Sequence, residues 1–160
     1  MRRTRRFEQR RSPGWRRAVL VAAVLTAAGA AGAQERVAED QTPTGKFLTA
    51  TEVRPILTAT RANWVSVREY GGEDLVYVTH LIAWRCGLYE IRYAINGGQM
   101  RQWPVPECDP EAAQPAAIPD GAQVYEVHAA GSVQQITVEL LYDDLSVETA
   151  SFERAAVLMP

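Results

Sequence analysis

LVYVTHLIAWRCGL, residues 75–88, is apolar on both sides of an extended chain as far as Trp84, and it runs into an arginine and a cysteine. Drawn as a strand over 75–84, it sets Val76, Val78, Ile82 and Trp84 on one side and Leu75, Tyr77, Leu81 and Ala83 on the other. A strand apolar on both faces belongs in the middle of a sheet. Cys86-Gly87 then ends the run and turns the chain.

The neighbouring segments carry the same kind of punctuation. WVSVREY (64–70) stops at Gly71-Gly72, LYEIRYAI (88–95) stops at Asn96-Gly97-Gly98, and MRQWPV spans 100–105. Farther on lie QVYEVH (123–128), VQQITVELLY (133–142) and SVETASFE (146–153). Short alternating runs bounded by Gly, Asn and Asp are hairpin signals. Seven of them predict an all-β fold, an antiparallel β-sandwich of about seven strands.

In the third run Tyr89, Ile91, Tyr93 and Ile95 share a face opposite Glu90 and Arg92. In the sixth, Ile136, Val138, Leu140 and Tyr142 oppose Gln135, Thr137 and Glu139. These are half-buried strands with one wet face. CDPEAAQPAAIPDG (108–121) has three prolines, which bar it from a central ladder and suit a crossover between sheets.

Ahead of the strands, residues 34–45 are polar and aperiodic and read as a flexible arm. A short helix follows. Thr49 and Glu52 have capping-box spacing, but that start would put Pro55 inside the helix, so the expectation is a helix from Pro55 to Ala62. Residues 46–160 form a single domain.

The first 33 residues are of another kind. Eight arginines and one glutamate in residues 1–17 precede the apolar stretch Ala18–Ala28 and Ala31-Gly32-Ala33. This is the plan of a secretory signal peptide cut after Ala33, with an apolar part too short to span a bilayer. Thr4-Arg5-Arg6-Phe7 also suggests twin-arginine export, the general secretory route being the alternative. The expected location is periplasmic or secreted, with no membrane span after cleavage.

Without the leader, residues 34–160 keep 9 basic and 18 acidic residues, a net charge of −9. No Lys/Arg run follows Arg17, so a nucleic-acid partner is not expected.

In an oxidising compartment the two cysteines, Cys86 and Cys108, are expected to form a disulfide. Closing a loop of about 23 residues contributes at most about 3.4 kcal/mol. A thiol nucleophile would need a base such as His80 or His128. A zinc site usually has cysteines two to four positions apart, which is not the pattern here.

CGLYEIRYAINGG (86–98), a strand running into an Asn-Gly-Gly turn, resembles the middle strands of immunoglobulin-like or fibronectin-like sandwiches. The likeness extends over roughly the last 95 residues. It implies an immunoglobulin-like fold, although 22 positions between the cysteines are fewer than the inter-sheet bridge of true immunoglobulin domains spans. The longer stretch from Trp64 to Gly97 is similar to uncharacterised exported bacterial proteins with such a sandwich, a resemblance that implies no activity.

The chain has no nucleophile elbow, zinc-protease motif, phosphate loop or EF-hand, and no cofactor is expected. His80 is expected near the core with a hydrogen bond, and His128 in solvent. Glu73-Asp74 and Asp143-Asp144 read as solvated turns, too few in oxygens for calcium unless they meet.

Trp84, Arg85 and Trp103 are the candidate partner surface, brought to one end by the bridge, since tryptophan and arginine favour binding hot spots. The alternative packs Trp84 in the core, pairs Arg85 with an acidic neighbour and lays Trp103 over a sheet edge. Two functions follow: a non-enzymatic binding or envelope-assembly module with an envelope protein partner, or a small periplasmic hydrolase using His80.

Overall fold

The computed structural model describes residues 36–160. The basic leader, its cleavage site and the twin-arginine candidate lie outside the described residues. Seven antiparallel strands form two sheets. One contains β1 (Ser66–Tyr70), β2 (Glu73–Tyr77) and β5 (Tyr125–Ala129), with β2 in the middle. The other contains β3 (Leu88–Ile95), β4 (Arg101–Gln102), β6 (Gln135–Tyr142) and β7 (Val147–Glu153), in the order β4-β3-β6-β7. The proline-bearing segment passes from β4 in one sheet to β5 in the other, the crossover its composition predicted. No helix among the described residues is long and apolar enough to cross a membrane.

One apolar cluster joins the inner faces. Val67 and Val76 from the first sheet meet Ile91, Tyr93, Ile136, Val138 and Leu140 from the second. β6 follows its predicted alternation without a slip: Ile136, Val138, Leu140 and Tyr142 are buried and the residues between them are half-buried.

β3 departs from the predicted alternation. A bulge between Leu88 and Glu90 shifts the register against β6, and Tyr89 leaves the buried face. Its hydroxyl donates to the Val37 carbonyl and to Glu39. Residues 36–45 have no helix or strand, yet Glu39 N–H bonds to Asp143 C=O and the Gln41 side chain meets both Asp143 and Thr51.

Two sequence readings need correction. The run 75–84 is not one strand: β2 ends at Tyr77, and α2 (Thr79–Ala83) follows. Both a two-sided strand and a buried helical turn need apolar neighbours, so the pattern fits either. Here Leu81 and Ile82 point inward with no exposure, while Thr79 stays outside.

The first helix, α1 (Ala50–Ala59), begins at the capping box and contains Pro55, where the prediction began it at Pro55. The proline removes only the bond to the carbonyl of Thr51, an exposed residue, while Glu52 closes the N-terminus by accepting from Thr49 N–H. Ala50, Val53 and Leu57 form its buried stripe. A short C-terminal helix, α3 (Arg154–Val157), was not expected. Beyond it Leu158 bridges to Val67 and Met159 N–H bonds to Val67 C=O, covering the outer edge of β1.

α1 lies tight against the 3-10 turn Arg85–Gly87. A Cβ on Gly87 would fall 2.6 Å from Val53 Cγ2 and 2.7 Å from the Thr49 backbone. Gly87→Ala is therefore expected to lower stability by about 1–3 kcal/mol through overpacking, measured as a shift in the urea midpoint at unchanged slope.

Candidate functional site

Cys86 and Cys108 form a disulfide. Cys86 sits in the 3-10 turn after α2, not at a strand end, and Cys108 opens the crossover. Both line a shallow pocket of about 300 Å³ with Glu39, Asp40 and Asp143.

Arg85, next to the bridge, is buried with 3% exposure and has no carboxylate partner among the described residues. Its guanidinium instead donates to five backbone carbonyls: Pro106 at 2.9 Å, Ile82 at 3.1 Å, Ala116 at 2.8 Å, Glu107 at 3.0 Å and Ala117 at 3.0 Å. Burial lowers its pKa below the usual arginine value.

Trp103 is fully buried, donates Nε1–H to Gln123 C=O and meets Tyr93 edge-on. Trp84 is half-buried, with its ring against Phe47. The three residues expected to form a partner surface therefore do not present one: Arg85 and Trp103 hold the crossover from inside, and Trp84 alone reaches the surface. The expected acidic partner of Arg85 is also corrected, since carbonyls fill that role.

His80 lies on α2, half-buried, with Nε2 2.7 Å from Thr60 Oγ1. That hydroxyl is also 2.7 Å from Ile56 C=O. When Thr60 donates to Ile56, the neutral imidazole donates to Thr60, and burial lowers the pKa of His80 and favours that neutral form. Among the described residues no carboxylate stands within ion-pair distance of His80.

His128 is not in open solvent. Its side chain is 17% exposed, and its Nε2 is buried without a hydrogen bond, 3.7 Å from Glu126.

Of the two acidic turns only Glu73 is exposed as expected, and Asp74, Asp143 and Asp144 are held by internal bonds. Asp74 is fully buried and accepts two bonds from Arg154, at 2.7 and 2.9 Å, and one each from the N–H of Gly131 and Val133. Asp143, buried, accepts from Ala50 N–H at the start of α1, and burial raises its pKa. Asp144 pairs with Arg54 and Ser146. No group of three or more His, Cys, Asp or Glu among the described residues is placed to hold a metal ion.

The outer faces of the two sheets differ. On the four-stranded sheet most outward side chains satisfy one another: Arg92 pairs with Glu139, Thr137 with Ser151 and Gln135 with Glu153, while Leu141 and the exposed Val147 form an apolar pair at one end. The three-stranded sheet instead sets aromatic and apolar side chains among Ser66, Arg68 and Glu73. The pairing register sets three outward rows across β1, β2 and β5: Ser66, Tyr77 and Tyr125; Arg68, Leu75 and Val127; Tyr70, Glu73 and Ala129.

Tyr70 is 63% exposed, Tyr125 46% and Val127 47%. The Tyr77 and Tyr125 rings lie 5.3 Å apart, and Arg68 lies over Tyr70. Sequence reasoning passed over this face, although the signal was present in the alternation of VREY, LVY and YEV.

Two expectations follow. Arg85→Met leaves five carbonyls without their donor, so stability should fall by about 3 kcal/mol or more, and amide protection across 103–124 should collapse. Cys86→Ala/Cys108→Ala should lose at most about 3.4 kcal/mol and keep that protection, because Arg85 still grips the segment.

The second concerns acid. Hydrogen bonds from Arg154 lead in holding the Asp74 carboxyl at about 2, against desolvation and with help from Val133 and Gly131. For Glu52 burial pushes upward, but bonds from Leu48, Thr44, Gly45 and Thr49 hold it at about 2. Both values lie below the ordinary 3.8 and 4.5. Their stabilisation is therefore present above that range and is lost as pH falls toward about 2. Denaturant titrations down that range should show the loss, and Asp74→Asn should remove a share on the order of 2 kcal/mol.

No family model, curated protein or solved structure matches the chain.

Proposed function

We propose that the chain is a non-enzymatic binding or envelope-assembly module, exported to the periplasm or secreted, that engages a protein partner through the outer face of β1, β2 and β5. The observation that carries this reading is the contrast between the two outer faces. One is covered by its own polar pairs except at Val147, where β7 begins, while the other leaves Tyr70, Tyr125 and Val127 exposed around Leu75 and Tyr77. Tyrosine gives a partner a large contact area at low entropic cost and is enriched where interfaces bind. The disulfide is consistent with an oxidising compartment.

An immunoglobulin-like sandwich suits the same role. Its support is the strand order β1-β2-β5 and β4-β3-β6-β7. That order differs from the constant-type arrangement by the transfer of the fourth strand to the other sheet.

The hydrolase reading would need His80 to activate a nucleophile. Its nearest hydroxyl, on Thr60, is within reach of the Ile56 carbonyl, and no carboxylate orients the ring.

The test is affinity capture from an envelope fraction with the oxidised domain. The parent and His80→Ala should retain the same saturable partner, while Tyr70→Ser/Tyr77→Ser/Tyr125→Ser should lose it with the fold intact by near-ultraviolet circular dichroism. Equal capture by the tyrosine variant, or no saturable partner under any growth condition, overturns the proposal.

A further inference from the structure

The mode of binding can be taken further on the assumption that this face is the interface. Val78 N–H bonds to Val124 C=O, directly opposite in the β2–β5 register. In an antiparallel ladder, hydrogen-bonded pairs alternate with pairs whose N–H and C=O point away. Glu126 and His128 therefore turn their backbone toward β2, and Tyr125, Val127 and Ala129 turn theirs outward. Among the described residues, the only one of these outward groups with a partner is the Ala129 carbonyl, which accepts from Ser132. The donor–acceptor pairs of Tyr125 and Val127 stand open.

The other edges offer less. The C-terminal residues cover β1, and β4 is two residues long. β7 has an open edge, but its outward side chains are polar at Thr149, Ser151 and Glu153 and apolar only at Val147 where the strand begins, whereas those of β5 are the exposed Tyr125 and Val127. Proteins guard exposed edges with proline, lysine or bulges, and β5 has none of these on its outward side.

We infer that the free edge of β5 accepts an extended segment of a partner protein by strand addition, with alternating apolar and basic residues in that segment. The open backbone pairs demand an extended chain. The segment's outward residues continue the rows of Tyr125 and Val127, which calls for apolar side chains at every second position. Glu126 is already paired with Arg101, so the charge preference of the inward residues comes from the domain as a whole, whose net charge of −9 over residues 34–160 calls for basic ones.

The probe is a short end-capped synthetic peptide of alternating valine and lysine. A version with glutamate in place of lysine serves as the charge control. On binding, amide exchange should slow at Tyr125, Val127 and Ala129 in the unsubstituted protein and stay unchanged at Glu126 and His128, whose N–H groups already bond to β2. Val127→Pro removes an outward donor without touching the β2 ladder, and should weaken binding roughly tenfold or more. Thr149→Pro, the matching change on β7, should leave it unaltered, and the glutamate peptide should not bind.

Absence of binding, protection at Glu126 rather than Val127, or equal weakening by Thr149→Pro would overturn the assignment. A partner captured through the tyrosines but indifferent to Val127→Pro would overturn the edge while the face reading stood.

Discussion

The fold depends on a cation buried without an anion. A crossover between sheets, with no helix or strand from Trp103 to Val124, carries many backbone carbonyls that must be satisfied wherever they leave water. Arg85 supplies the donors. Its planar guanidinium projects several N–H groups in fixed directions, and four of the carbonyls it reaches, at positions 106, 107, 116 and 117, belong to the two ends of one loop. The neighbouring disulfide fastens the same loop at Cys108. Because the crossover leads straight into β5, both restraints also fix where β5 lies against β2.

Electrostatics extends the same economy to the acidic residues. Asp74 on β2 bonds to Arg154, the first residue of α3 directly after β7, and to two amides of the β5–β6 turn, so one carboxylate ties the two sheets together at that end. Asp143 does the same between the end of β6 and the start of α1, where the helix dipole and its free amides favour an anion. An acidic composition suggested a solvated surface. In the folded chain several of those charges are internal fasteners, each with its donors arranged before it is buried.

What could be read from the residues depended on whether the deciding contact was local. β6 alternates cleanly because a strand with one buried face writes its period into the sequence, and the Cys86–Cys108 pairing needed only a count and a compartment. The second strand misled because Leu81 and Ile82 are adjacent apolar residues that a helical turn buries as readily as a strand. The capping box was visible, but the proline was given more weight than it deserved, since its missing bond falls at an exposed residue. Arg85 was unreadable in principle: its partners are carbonyls, which every residue carries, and four of the five lie some 21 to 32 positions away. The tyrosine face required the register of three strands, of which β1 and β2 are joined locally and β5 arrives from far along the chain.

The same alternation that exposes Val127 turns Glu126 inward, and this gives β5 its second hold. Glu126 accepts from Tyr93 on β3 and, at 2.9 and 3.2 Å, from Arg101 on β4. Burial opposes ionisation, yet these bonds keep its pKa below the usual glutamate value, and burial together with the carboxylate raises that of Tyr93. Arg101 also lies over the Tyr93 ring, 4.7 Å from its centroid. The inner side of β5 is thus fixed across the open side of the two sheets, although its outer edge has no strand beside it. A strand held on one edge and one face leaves little backbone freedom to lose when the remaining edge is paired. The clasp that stabilises the domain therefore also prepares β5 for the added strand that we propose.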